Sequence, residues 1–194
     1  MNKRKILIII TEKIIKILII NLIIIIAIRF SFANEYNRKN WKHWTDEDKN
    51  CLNTRHELLK STSLVKVVLN KKGCIVLNGS WFDPYSGKYY TNSRRLDIDH
   101  IVPLKEAYLS GGSKWTKKQK EVFANDIDNL IPVLARENRQ KGAKDFAKWL
   151  PSNENYVCKY IESFVSIKKK YKLILDVEEI QFLMDGDCSF VFIN

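Results

Sequence analysis

Four cysteines, Cys51, Cys74, Cys158 and Cys188, constrain this chain more than any other residues, because cross-links decide which segments meet before packing is considered. An even number, with no Cys-x-x-Cys and no paired histidines, speaks for two disulfides and against a zinc site. Of the three possible pairings, Cys51–Cys74 with Cys158–Cys188 is preferred, since each closes a local loop within one half of the chain. Disulfides imply an oxidising compartment, and the N-terminus agrees. Lys3, Arg4 and Lys5 precede an apolar stretch from Ile17 to Ile28, interrupted by Asn21, and Ser31 and Ala33 supply the small residues a signal peptidase needs. Residues 1–33 therefore read as an export signal cleaved after Ala33, and residues 34–194 as one mature domain, secreted or periplasmic. The rival reading is an uncleaved anchor, although this twelve-residue stretch falls short of the ~20 that span a bilayer. Without the leader, no stable membrane association is expected.

The 194-residue chain carries a formal charge of +11. Six Lys/Arg and one Glu lie in the leader, so the mature part keeps +6. A basic exported domain suits a polyanionic partner, nucleic acid or an acidic surface, though plain solubility would account for the same charge.

Periodicity then orders the mature chain. "NEYNRKNWKHW" reads as an irregular lead-in. Thr45-x-x-Asp48 resembles a capping box and predicts a helix running on through Leu58 and Leu59. The same region, 46–57, places Asp46, Asp48, Asn50 and Glu57 at calcium-loop spacing, but Cys51 stands where the sharp turn wants glycine, so a structural reading is preferred. "LVKVVLN" and "CIVLNGSWF" flank a hairpin turn at Lys71-Lys72-Gly73, with further turns expected at Asn78-Gly79 and "DPYSG" before the strand "KYYT". "LDIDHIVPL" reads as a strand, Thr116-x-x-Gln119 as the cap of a short helix, "NLIPVL" as a strand, and "ARENRQK" as a helix stopped by Gly142. Two last helices follow, the first with Val157, Tyr160, Ile161, Phe164, Ile167 and Tyr171 on one face. The fold class is α+β.

"LDIDHIVPL" holds the sharpest conflict between pattern and polarity. Its aliphatic residues want burial, while Asp97, Asp99 and His100 resist it. A strand bearing Asp99-His100, a returning strand introduced by Asn129 and a helix carrying Asn138 can close into a clamp. Imidazole accepts a proton from water near neutral pH, and a carboxylate with an amide oxygen suits a hard cation such as Mg²⁺. Together they form a design for hydrolysing a phosphodiester.

With these elements in order, "LDIDHIVPLKEAYLSGG", "FANDIDNLIPVLARENRQKGAKD" and "KWLP" resemble the HNH (His-Me finger, ββα-metal) endonucleases. The branch most similar is that of the C-terminal domain of GmrSD-type restriction proteins and small secreted nucleases. The resemblance extends over nearly all of residues 41–184, including "CLNTRHELL" and "GSWFDPYSG". It implies a ββα-metal core with an added N-terminal β-hairpin region and C-terminal helices. It also implies His100 as general base, Asp99 and Asn138 as ligands of one divalent metal, Mg²⁺ before Mn²⁺ or Ca²⁺, and Asn129 as the residue that ties the hairpin and helps hold the histidine. Arg139 and Lys141 fall beside Asn138 and, with Arg94 and Arg95, are candidate phosphate contacts. Asp97 shares a strand face with Asp99 and is a candidate outer group. Asn rather than a final His at 138 leaves two protein ligands, so water and substrate oxygens must complete the coordination. The implied protein is a monomeric, metal-dependent endonuclease acting on nucleic acid, DNA before RNA. The alternative is a non-catalytic basic module that holds nucleic acid at the cell surface.

Overall fold

Lys71-Lys72-Gly73 does turn the chain: Gly73, at φ +76, donates its N–H to the Asn70 carbonyl at 2.9 Å. The Asn70 side chain accepts from the N–H groups of Cys74 and Ile75, so the turn is closed from within. In this computed structural model, which describes residues 35–186, Cys188, Ile15, Lys16 and residues 18–21, the strands either side are β1 (Val68–Leu69) and β2 (Val76–Asp83). The turn at 84–87 leads into β3 (Lys88–Asn92), completing an antiparallel sheet in the order β1-β2-β3. Asn78-Gly79, expected as a turn, instead sits inside β2 where the register shifts between Asn78 and Trp81. Glycine belongs there for closeness, since a Cβ would meet Ser63 Oγ at 2.6 Å and the Trp81 ring at 2.7 Å.

The first helix, α1 (Thr54–Thr62), starts eight residues later than the Thr45 cap predicts. Asn53 is the true N-cap, accepting from the His56 N–H, and residues 45–53 form an irregular loop. The loop is held by Asn50, whose amide donates to Asp48 and Glu57, and by the Cys51–Cys74 disulfide to the β1–β2 turn. Cys51 takes the left-handed conformation (φ +70) although it is not glycine. Against α1 pack Val76, Trp81, Tyr90, Leu96, Ile98 and Leu130, forming the core with Leu58 and Leu59, and the Trp81 indole N–H donates to the Leu59 carbonyl at 2.8 Å.

Leu96 and Ile98 belong to β4 (Leu96–His100), which pairs antiparallel with β5 (Leu130–Leu134), from Leu96↔Leu134 to His100↔Leu130. The strand expected over "LDIDHIVPL" ends at His100, because Pro103, which fixes φ and lacks a donor, caps α2 (Leu104–Leu109). Thr116 and Gln119 form the expected capping box of α3 (Lys117–Asn125). Directly after β5 comes α4 (Ala135–Lys141), ended where the Gly142 N–H closes on the Asn138 carbonyl. In α5 (Val157–Lys170) the face with Tyr160, Ile161, Phe164 and Ile167 is buried, and α6 (Val177–Asp185) begins with a second capping box at Asp176. Cys158–Cys188 joins the start of α5 to the chain beyond α6, so both disulfides have the local pairing preferred from the sequence.

The chain divides into two units, Met1–Tyr36 and Asn37–Asn194. In the first, Ile15, Lys16 and residues 18–21 are helical; the expected cleavage after Ala33 lies outside the described residues. Among the described residues no helix is long and apolar enough to cross a membrane. The architecture of the second unit is α+β.

Candidate active site

Alternation gives β4 two faces. Leu96 and Ile98 enter the core, and His100 follows them in the period of two; Asp97 and Asp99 point the other way, to α4. His100 is 5% exposed, and its Nε2 lies 2.9 Å from the carbonyl oxygen of Ala124 in α3. A carbonyl can only accept, so Nε2 carries the proton and Nδ1 keeps the lone pair. The rings of Trp44 and His43 lie against it, with centroids 5.9 and 6.4 Å away. Burial above all, then the positive surroundings of Arg38, Lys141 and His43, lowers its pKa to about 3 against the pull of the Ala124 carbonyl. The imidazole is therefore neutral.

Asn129 is wholly buried. Its Oδ1 accepts from the Val102 N–H at 2.8 Å, its Nδ2 donates to the Val102 carbonyl at 3.3 Å, and its own carbonyl accepts from Ile101. It fastens the exit of β4 to the entry of β5. Expected to tie the hairpin and help hold the histidine, it is a backbone clip in this structure, its amide spent on the peptide two residues beyond His100.

Asp99 is also enclosed, at 4% exposure. One carboxylate oxygen accepts from the Tyr85 hydroxyl at 2.8 Å and from the Lys141 ammonium at 2.7 Å. Lys141 itself has no exposed surface and donates again to the His100 carbonyl at 2.7 Å. The expectation that Lys141 contacts phosphate is thus corrected: α4 turns it inward, and its charge is spent on Asp99. Burial pushes Asp99 up and Lys141 down, each opposed by the other's charge. Breaking a buried pair by removing one partner costs about 3–5 kcal/mol.

Asn138, one turn earlier on α4, reaches a different carboxylate. Its Nδ2 lies 3.3 Å from Asp97 Oδ2. Arg139 Nε is 3.6 Å from the same oxygen, with Asp97 32% and Arg139 77% exposed along the side chain. Such a solvent-open pair contributes about 0–1 kcal/mol. Arg94 and Arg95 are exposed on the turn before β4, Arg95 lying over the Tyr90 ring at 5.1 Å. Three expected phosphate contacts, Arg94, Arg95 and Arg139, are therefore at the surface.

Tyr85 escapes a reading of the sequence because "DPYSG" signals only a turn; no spacing tells that the turn drives a buried hydroxyl into Asp99. Trp44 and His43 sit in the irregular lead-in, where only the scarcity of histidine offers a hint. A cleft of about 660 Å³ lies to one side, lined by Glu47, Asp48, Glu57, Glu121, Asp126 and Lys170 among others. Its acidic lining has the wrong sign for a polyanion.

The GmrSD restriction endonucleases, C-terminal domain, match this chain over residues 44–175, a range that includes the whole β4–β5–α4 unit. The chain belongs to that family. An "Uncharacterized secreted protein" of Arthroderma benhamiae (strain ATCC MYA-4681 / CBS 112371) is 36% identical over 140 residues, covering 71% of this chain and 67% of that protein. No solved structure matches.

Proposed function

We propose that this protein is an exported, metal-dependent endonuclease that hydrolyses phosphodiester bonds of nucleic acid, with β4, β5 and α4 as a ββα-metal (HNH) core. Membership of an endonuclease-domain family supports a nuclease-type activity. The observation that carries the reading is His100, neutral and fixed as the Nε2–H tautomer by Ala124, which leaves Nδ1 to take a proton from water. A phosphodiester anion brought against the ring favours the imidazolium and raises its pKa from about 3 toward neutrality.

The donors facing α4 fit a hard divalent cation: the carboxylates of Asp97 and Asp99, and the amide of Asn138, whose oxygen and nitrogen exchange by a flip. Mg²⁺ is the first choice, with Mn²⁺ or Ca²⁺ as alternatives. When bound, such an ion stabilises charge on the phosphate and the leaving oxygen. Arg94, Arg95 and Arg139 hold flanking phosphates, a backbone contact that reads little sequence, so DNA is cut with weak specificity. Two disulfides, the basic and apolar leader and the secreted relative support export, and the protein acts as a monomer.

Plasmid digestion by the oxidised protein tests this. Cleavage is expected with Mg²⁺, to vanish with chelator, and to fall at least ~100-fold in His100→Ala. Activity that survives both treatments overturns the proposal. Salt-sensitive retention of DNA without turnover in Mg²⁺, Mn²⁺ and Ca²⁺ supports the non-catalytic binding module instead.

A further inference from the structure

We infer that the hollow between the start of α3 and the end of α5 is a second nucleic-acid contact. It stacks an unpaired base of the substrate on Trp115 and Tyr171 and holds the flanking phosphates with Lys118 and Lys172. The inference rests on the nuclease reading above and names the form of its substrate, a single strand. The hollow has a volume of about 280 Å³ and is lined by both aromatic rings, Val122 and three lysines. Trp115 and Tyr171 are half-buried, with ring centroids 5.7 Å apart, and the buried Phe123 holds both, at 5.3 and 4.8 Å. Rings fixed in this way lose little freedom when a base stacks on them.

The charge beside the rings is available. Lys170 is committed to Asp126 and Asp128, at 2.7 and 2.8 Å, and so screens the hollow from the acidic cleft that shares its Val122–Tyr171 wall. Lys118 and Lys172 are exposed. Lys172 has no ion pair among the described residues, and Lys118 has only long ones, 3.5 Å to Glu121 and 4.0 Å to Glu47. The first turn of α3 carries Lys117 and Lys118 and no acid, at the positive end of the helix dipole. Cations there cost stability, a cost offset when a phosphate binds. Positive charge beside open aromatic faces is the combination that binds single strands. Duplex bases, stacked on one another, offer Trp115 and Tyr171 no face. The same helix sets the distance to His100: Lys118 lies six residues before Ala124, whose carbonyl accepts from the ring, about 9 Å along the axis. A strand held in the hollow lies within a few nucleotides of the imidazole.

Fluorescence anisotropy of the full, oxidised protein with labelled oligothymidylate, in chelator so that nothing is cut, tests the inference. An abasic oligomer of the same length is expected to bind at least ~5-fold more weakly than oligothymidylate. Val122→Glu, a change at an exposed position on the wall of the hollow, is expected to erase that difference with an unchanged melting temperature. Lys118→Ala combined with Lys172→Ala is expected to weaken binding about 10-fold and to lower the salt slope by about 1.4 units. An oligomer carrying iododeoxyuridine is expected to photo-cross-link to Trp115 or Tyr171. Equal affinity for the abasic oligomer, cross-links solely to other residues, or tighter binding of duplex than of single strand overturns the inference; with plasmid cleavage intact, each leaves the nuclease reading standing. Base-dependent binding at the hollow, with neither plasmid nor single-stranded circles cut in Mg²⁺, ends the nuclease reading and upholds the contact. A wild type that neither binds nor cuts ends both.

Discussion

Asp97 and Asp99 sit two residues apart on one face of one strand, yet they live in opposite surroundings. Asp99 is enclosed by a tyrosine from the β2–β3 turn and a lysine from the last turn of α4. Asp97 looks out between Asn138 and a solvent-open Arg139. Identical carboxylates thus divide the work: the dry one fixes where the helix lies on the strand, and the half-open one stays exchangeable. What separates them is which α4 residue each one meets: the buried Lys141 for Asp99, the half-buried Asn138 and exposed Arg139 for Asp97.

The contrast breaks or sharpens under substitution. On the dry side, Lys141→Met leaves a buried carboxylate without its cation, and urea denaturation should show a loss of about 3–5 kcal/mol. Adding Asp99→Leu should recover most of that, because an apolar pair of similar volume removes the stranded charge. A loss below about 1 kcal/mol for the single change would show the pair to be solvated after all.

His100, on the other face, offers a second probe of dryness. Unfolded, an imidazole takes its proton near 6.5; folded, this one does so at about 3. Between those values the unfolded chain binds the extra proton, so this contribution to stability is full above about 6.5 and is lost as the pH falls. The slope amounts to roughly 1.4 kcal/mol per pH unit, set by burial with Arg38, Lys141 and His43 nearby. His100→Asn should flatten the stability profile between pH 6 and 4 by about that slope; equal slopes would place the ring in water.

On the wet side the effect is smallest. Arg139→Ala should change stability by less than about 0.5 kcal/mol, while DNA binding loses about one unit of its salt slope.

Local chemistry explains what could be read from the sequence. The Thr116–Gln119 box, Gly142 as a stop and the alternation of β4 each depend on residues within one turn or strand. The cysteine pairing follows from short loops. The failures share another cause. Thr45-x-x-Asp48 has the letters of a cap, but Asn50 and the disulfide hold that segment as a loop, and Asn53 takes the cap. Asn78-Gly79 has the letters of a turn, but Ser63 and Trp81 crowd it into a bulged strand. For the candidate site, His100, Asn129 and Asn138 stand out by type and order. The inward turn of Lys141, the pairing of Asn138 with Asp97 and the arrival of Tyr85 are set by tertiary geometry, which no spacing encodes.

The most direct test of the account is single-turnover cleavage of plasmid DNA at saturating Mg²⁺, comparing wild type with His100→Ala under conditions where both bind the DNA equally. The account predicts a rate at least ~100-fold lower in the variant. Equal rates would contradict it.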